Sequence, residues 1–120
     1  MDKKQSLKRA AYEVFSKKGY KATGISEIAR QAGVAVGSFY NYYESKEAIF
    51  LDIYIDENNR VRQAMIEELD WEIDMIDLIG QLFSHSRTLV SSNKILAEWY
   101  NPAIADDLHS YYSFYKSYAG

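Results

Sequence analysis

Residues 25–43 of this chain, which read ISEIARQAGVAVGSFYNYY, decide its fold. The stretch has the layout of two short helices joined by a tight turn, because Ala29 is small enough for the helices to approach closely and Gly33 supplies the turn. Phe39 is expected to face the core from the second helix. We therefore predict a helix-turn-helix whose second helix, Val36 to Tyr42, can enter a DNA major groove about 12 Å wide.

Helical periodicity continues on both sides of this stretch. Upstream, apolar residues recur at helical spacing from Leu7 to Phe15, and Gly19 can end that first helix in a left-handed conformation. Downstream, Ser45 is a good N-cap for a fourth helix of about 24 residues. Its first turns are expected to pack on the helix-turn-helix and its last turns on further helices. The positions concerned are Ile49, Phe50 and Ile53 in the first set, and Val61, Met65 and Leu69 in the second.

Three more helices are predicted further along the chain: a fifth from about Asp74, a sixth after a turn at residues 91–93, and a seventh after Asn101-Pro102. No stretch shows the alternation of a half-buried strand, so the predicted fold class is all-α. The apolar side chains expected to be buried in these helices are Met75, Leu78, Ile79, Leu82, Phe83, Leu89, Val90, Ile95, Leu96, Trp99, Tyr100, Ile104, Leu108, Tyr111, Tyr115 and Tyr118.

Charge is distributed unevenly along the chain. The net charge is −3, but residues 1–50 carry nine Lys and Arg against five Asp and Glu, a net charge of +4, whereas residues 51–120 carry −7. A basic head on an acidic body is expected when only the head meets a polyanion. The carboxylates clustered at 67–77 could imitate a cation site, but a solvated acidic face that repels DNA is the better interpretation.

The composition argues against several classes of function. Cysteine is absent, which removes disulfides, thiol nucleophiles and cysteine-ligated metals. His85 and His109 lack partners at metal-ligand spacing, and no nucleophile–base set or phosphate loop occurs. We therefore expect no enzyme, catalytic residue, metal or cofactor. No apolar run approaches the ~20 residues of a membrane helix and the N-terminus is unlike a signal peptide, so a cytoplasmic location is expected.

From about Leu7 to Ile53 the sequence resembles the tetracycline-repressor-like (TetR/AcrR) family of bacterial transcription regulators. In that family three helices form a DNA-binding head, and a long fourth helix joins it to a helical ligand-binding and dimerisation body. The resemblance implies a head at residues 1–47 and a body at 48–120. The body is expected to be incomplete, because family bodies have two further helices. The resemblance rests on residues 10–20, 22–23, 25–29, 32–34, 37–43 and 45–47.

The resemblance also implies which residues meet double-stranded DNA. The recognition helix is Val36 to Tyr42. Gly24 lacks a hydroxyl that the family often has there, and Ala35 replaces a frequent N-cap serine. By position, base edges or sugars are met by Val36, Gly37, Ser38, Asn41 and Tyr42, and phosphates by Tyr40, Lys46, Thr23 and Gly24.

The body is rich in aromatic residues, and two interpretations of them stay open. They form a core or a subunit interface, or they line a pocket for a flat or apolar small-molecule effector. The candidate pocket residues are Phe83, Trp99, Tyr100, Tyr111 and Tyr115.

The function expected from these observations is a sequence-specific DNA-binding transcription regulator, a repressor that an unknown small molecule relieves. It is expected to act as a homodimer through residues 104–118, where aromatic side chains occupy more than one helix face, and not at a membrane. The alternative is a helical ligand-binding or protein-interaction module that has lost operator binding. The small residues at 35–37 and the acidic body favour that alternative.

Overall fold

A computed structural model describes residues 2–69 and 72–111, and within these residues every regular element is helical. The prediction of an all-α chain, with a three-helix head joined by a long fourth helix to a helical body, is therefore confirmed. A 3-10 helix covers Leu96–Tyr100. The helices are α1 Lys3–Lys18, α2 Ile25–Ala32, α3 Val36–Phe39, α4 Lys46–Glu68, α5 Met75–Ser92, and α6 at residues 105–111.

Local sequence signals place the helix ends. The side chain of Asp2 accepts a hydrogen bond from the backbone N–H of Gln5 and caps α1. Ser45 and Asp74 cap α4 and α5 in the same way, through the backbone N–H groups of Ala48 and Asp77. Each cap satisfies an N–H group that has no partner inside its own helix. The N-cap predicted for the fourth helix and the start predicted for the fifth are thus confirmed.

Gly33 shapes the turn of the helix-turn-helix. It has φ 74° and ψ 29°, in the left-handed region that a side chain disfavours, and its N–H reaches the carbonyls of Ala29 and Arg30. Ala29 is 1% exposed, as expected for a close helix contact. Gly19 also has a positive φ, 80°, but its ψ of 175° is extended, so the expected left-handed helical stop is only half right.

The recognition helix is shorter than predicted. It covers Val36–Phe39, and residues 40–42 form a turn instead of continuing to Tyr42 as helix. The reason is a change of hydrogen-bond pattern, because Asn41 N–H donates to the Ser38 carbonyl and Tyr42 N–H to the Phe39 carbonyl, three residues back.

Three aromatic rings pack α4 onto the head. Phe50 of α4 meets Phe15 of α1 edge-on, with ring centroids 4.9 Å apart at 89°, and Tyr20 at 5.1 Å and 74°. Ile49 and Ile53 are buried beside Phe50. The prediction that these three residues of α4 pack on the head is confirmed. Further along α4, Leu69 is buried and Val61 and Met65 are half-buried, as expected for contact with the body.

A buried carboxylate joins three elements. Glu57 of α4 is 3% exposed and accepts hydrogen bonds from Tyr12 of α1 at 2.9 Å, Arg60 at 2.6 Å and Asn93 at 3.2 Å. Burial acts to raise the pKa of Glu57, but the three hydrogen bonds outweigh it and leave the pKa lowered. Asn93 also accepts from the N–H groups of Ile95 and Leu96 and so caps the 3-10 helix.

The burial predicted for α5 is wrong at three of the six positions whose side chains are described. Met75, Ile79 and Phe83 are 75%, 46% and 74% exposed, and Ile76 beside them is 81% exposed. Among the described residues α5 packs mainly on α4 and the 3-10 helix, which cover one side of it only. Leu78, Leu82 and Val90 face that side and are half-buried, whereas the side chain of Leu89 lies outside the described residues.

The segment after α5 also differs from the sixth helix expected there. It is a 3-10 helix in which Leu96 is buried, Trp99 half-buried and Tyr100 78% exposed, so only the expected burial of Tyr100 is wrong. Asn101 ends it in an extended conformation before Pro102, as predicted. Ile104 and Leu108 lie in the core, which removes both from the dimer surface expected at residues 104–118. Tyr115 and Tyr118 lie outside the described residues.

Phe50→Ala should lower the free energy of unfolding by ~3–5 kcal/mol, because it leaves a cavity between Phe15 and Tyr20 where the ring is 1% exposed. Phe83→Ala is the matched control, and its cost should stay within about 0.5 kcal/mol since that ring is exposed. Urea unfolding followed by circular dichroism measures both. A loss below about 1 kcal/mol for Phe50→Ala would contradict the packing described.

Glu57→Gln should reduce the acid sensitivity of the fold. The pKa of Glu57 lies below its ordinary value of 4.5 in the folded chain, so its charge stabilises the fold above that pH. This contribution is lost as pH falls through the lowered pKa. Between about pH 7 and about pH 3 the wild type should therefore lose more free energy of unfolding than Glu57→Gln. Glu67→Gln, at an exposed position, should lose as much as the wild type; equal losses in all three chains would refute the assignment.

Candidate nucleic-acid interface

The residues expected to meet base edges lie on one exposed edge of the head. Val36 and Tyr42 are each 42% exposed, Gly37 and Asn41 are also exposed, and Ser38 is half-buried. This edge combines small side chains with the amide of Asn41, which can read adenine through two hydrogen bonds. The structure therefore brings all five predicted base-reading residues to one surface.

Two rings beneath this edge fix it to the rest of the head. Phe39 is fully buried, and Tyr43 is 8% exposed with its hydroxyl donating to Asp52 of α4 at 2.7 Å. Burial first, and then the hydrogen bond to Asp52, raise the pKa of Tyr43, which keeps the phenol protonated as a donor. Tyr40, between these two rings in sequence, points outward and is 55% exposed.

The turn before α2 holds the other predicted phosphate residues. Thr23 is 2% exposed, and its hydroxyl donates to the carbonyl of Gly19 at 2.8 Å. The hydroxyl is therefore hydrogen-bonded within the head. Gly24 is exposed and forms the N-cap of α2 without a side-chain hydrogen bond. Of this pair, Gly24 is the residue whose backbone faces outward.

Lys46 begins α4 and is half-buried against the same turn. Its Nζ donates to the carbonyls of Tyr20 and Thr23, both at 3.0 Å, and lies 4.2 Å from the centroid of the Tyr20 ring. Lys17 and Lys21, also on the head, are exposed.

The candidate pocket residues divide between separate clefts of the body. Trp99 and Tyr100 line a cleft of about 360 Å³ with Tyr54 and Leu96. Phe83 and Tyr100 line an adjoining cleft of about 530 Å³.

The remaining two candidates do not join these clefts in the described structure. Tyr111 lines a third cleft, against Ala48 and Leu51 of α4, and Tyr115 lies outside the described residues. Three of the five candidates are therefore brought together around Tyr100. In the described part of the chain no helix is long and apolar enough to cross a membrane.

The three-helix unit has helix-turn-helix architecture, with a short exposed helix behind a glycine turn. Residues 7–53 match the sequence profile of the bacterial regulatory proteins of the tetR family. The match covers most of the three-helix head and the start of α4.

Several relatives are similar to this chain. It is 46% identical over 61 residues to the uncharacterized HTH-type transcriptional regulator YdgC of Bacillus subtilis (strain 168). The aligned residues cover 51% of this chain and 31% of YdgC. It is 30% identical over 88 residues to the fatty acid metabolism regulator protein of the same organism, covering 73% of this chain and 45% of that protein. The chain thus spans less than half the length of these two curated relatives.

A solved structure shows the same fold. The transcriptional regulator FadR from Bacillus subtilis, in complex with stearoyl-CoA, aligns with a TM-score of 0.62 at 24% identity, covering 93% of this chain and 64% of FadR. The alignment extends beyond the head into α4, α5 and the following segment, so the body also has the architecture of this fold.

Sequence reasoning missed the polar contacts between head and body. Glu57 carries a signal that could have been found, because it stands four residues after Ile53 and four before Val61 on the apolar stripe of α4. Glu98 carries none. It accepts a hydrogen bond from the backbone N–H of Tyr20 at 3.2 Å, a contact that only the folded chain brings together.

Tyr40→Ala should weaken binding to specific and random DNA alike, because phosphate contacts carry no sequence information. Asn41→Ala should instead change base preference, with ~1–3 kcal/mol at stake for a good base contact. Fluorescence anisotropy on a duplex selected from a random pool, and on an unselected duplex, measures both. Tyr100→Ala on the body should change neither; an altered preference with intact affinity in Tyr40→Ala would reverse the assigned roles.

Proposed function

We propose that this chain is the DNA-binding and effector-sensing part of a sequence-specific transcription regulator, a repressor that a small molecule relieves. The observation that carries the proposal is the exposed edge of Val36, Gly37, Asn41 and Tyr42, held on a buried ring, Phe39, in the half of the chain that bears a net positive charge. Because DNA is the partner, the site of action is the cytoplasm of a bacterial cell.

The two parts of the chain, which differ in net charge, have different roles in this proposal. Residues 1–47 serve as the DNA-binding domain, and residues 48–120 as part of an effector-binding and dimerisation domain. Two heads are needed because successive major grooves on one face of DNA lie ~34–36 Å apart. A single head of this kind buries only ~600–1,000 Å² on DNA, which is little for tight specific binding. A homodimer supplies the second head.

The effector proposed is a fatty-acyl compound. The two adjoining clefts around Tyr100 are lined largely by apolar and aromatic side chains, and Arg87 lies at the second of them. An apolar wall with one cation suits a ligand that has a long apolar chain and an anionic head. Support comes also from the relatives, since one is named for fatty acid metabolism and FadR was solved with stearoyl-CoA.

DNA binding should be steeply dependent on salt and should be reversed by the effector. The logarithm of the binding constant should fall linearly with that of salt concentration, with a slope of about −0.9 for each phosphate contact. Stearoyl-CoA added to the complex should release the DNA, whereas coenzyme A without an acyl chain is the control. Sedimentation of the same sample reports whether two chains bind each duplex. No binding at low salt would favour the alternative, a module without operator binding.

A further inference from the structure

The turn between α1 and α2, residues 19–24, is held from three sides. Within it, Thr23 N–H donates to the Tyr20 carbonyl at 3.3 Å and the Thr23 hydroxyl to Gly19 at 2.8 Å. From the body, the Glu98 carboxylate accepts the N–H of Tyr20 at 3.2 Å. From α4, Lys46 donates to the carbonyls of Tyr20 and Thr23.

Lys46 makes more contacts with this turn than an exposed surface lysine would make. An ammonium has three N–H donors, and two of them are used by the carbonyls at 3.0 Å. The same ammonium lies 4.2 Å from the centroid of the Tyr20 ring, a cation–π distance. Tyr20 is itself 4% exposed and packs against Phe15 and Phe50, so the lysine is tied to a rigid part of the core.

The position of this turn controls the rest of the head. It ends at Gly24, the exposed N-cap of α2, and α2 packs on α1 and α3. A displacement of the turn would therefore move the start of α2 and, through α2, the exposed edge of α3 that faces DNA.

We propose that Lys46 is a positioning residue for DNA binding, which ties the α1–α2 turn to the start of α4 and so sets where α2 and α3 meet the duplex. The proposal rests on the DNA-binding function proposed above. It differs from the direct phosphate contact that the family resemblance implies for Lys46, and the two roles predict different salt dependence. A lost phosphate contact lowers the salt slope by about 0.9 for each head, whereas a misplaced turn weakens binding without removing a released counterion.

The test compares Lys46→Met and Lys46→Arg with Lys21→Met, which removes an equal charge from an exposed position of the same turn. In the free protein, amide hydrogen exchange of Thr23 should become roughly tenfold faster in Lys46→Met, the effect of losing about one charge-assisted hydrogen bond. It should stay unchanged in Lys21→Met. Lys46→Arg should restore much of the protection, because the guanidinium can donate to both carbonyls.

On DNA, Lys46→Met should bind roughly tenfold more weakly than wild type with the same salt slope, and Lys46→Arg should recover most of the affinity. A slope lowered by about 0.9 for each head, or Thr23 exchange unchanged in Lys46→Met, would overturn the proposal. If the wild type fails to bind DNA at low salt, the proposed function fails, yet the hydrogen-exchange comparison still decides whether Lys46 holds the turn.

Discussion

The edge-to-face packing of Phe50 on Phe15 and Tyr20 joins α4 to the head, and the other contacts between them depend on it. Aromatic rings bury large apolar areas and prefer this geometry, so the cluster fixes both the distance and the rotation of α4 against α1. Only with α4 in that rotation can Lys46 at its first turn reach the carbonyls of the α1–α2 turn. Further along α4, the same rotation turns Glu57 inward to meet Tyr12.

The polar contacts of α4 restrict this packing to one arrangement. An apolar cluster tolerates small slips, but a buried carboxylate with three donors costs free energy when any donor is lost. Glu57 has donors from α1, from its own helix and from Asn93, which caps the 3-10 helix beside the clefts. Head and body are thus joined by groups that must stay paired, so a rearrangement around the clefts can be transmitted to α1.

The sequence predicted those features of the fold that local signals determine. These signals act over a few residues, and each is confirmed: the N-cap Ser45, the helix start near Asp74, the turn at Gly33 and the apolar stripe from Leu7 to Phe15.

The features that escaped prediction are decided by distant parts of the chain. The exposure of Phe83 depends on which helices lie beside α5, and the partners of Lys46 lie 23 and 26 residues away. Among the candidate DNA residues, sequence position identified the exposed edge. It could not separate Thr23, which bonds internally, from Gly24, because both stand in the same turn.

Because the side chains of the recognition edge are small, DNA recognition in the proposed function depends more on the position of the head than on hydrogen bonds to bases. Gly37 faces open space and Val36 has no donor, so few groups can form hydrogen bonds to bases. In the proposed function, discrimination then comes from the polar groups of Ser38, Asn41 and Tyr42 and from close fit to the shape of the groove, which is sensitive to small displacements. A head that reads shape needs a rigid frame, and the buried Phe39, the Tyr43–Asp52 hydrogen bond and the tethered α1–α2 turn supply it. In the proposed repressor, the same rigidity would let a movement of α4 carry the whole edge away from the groove.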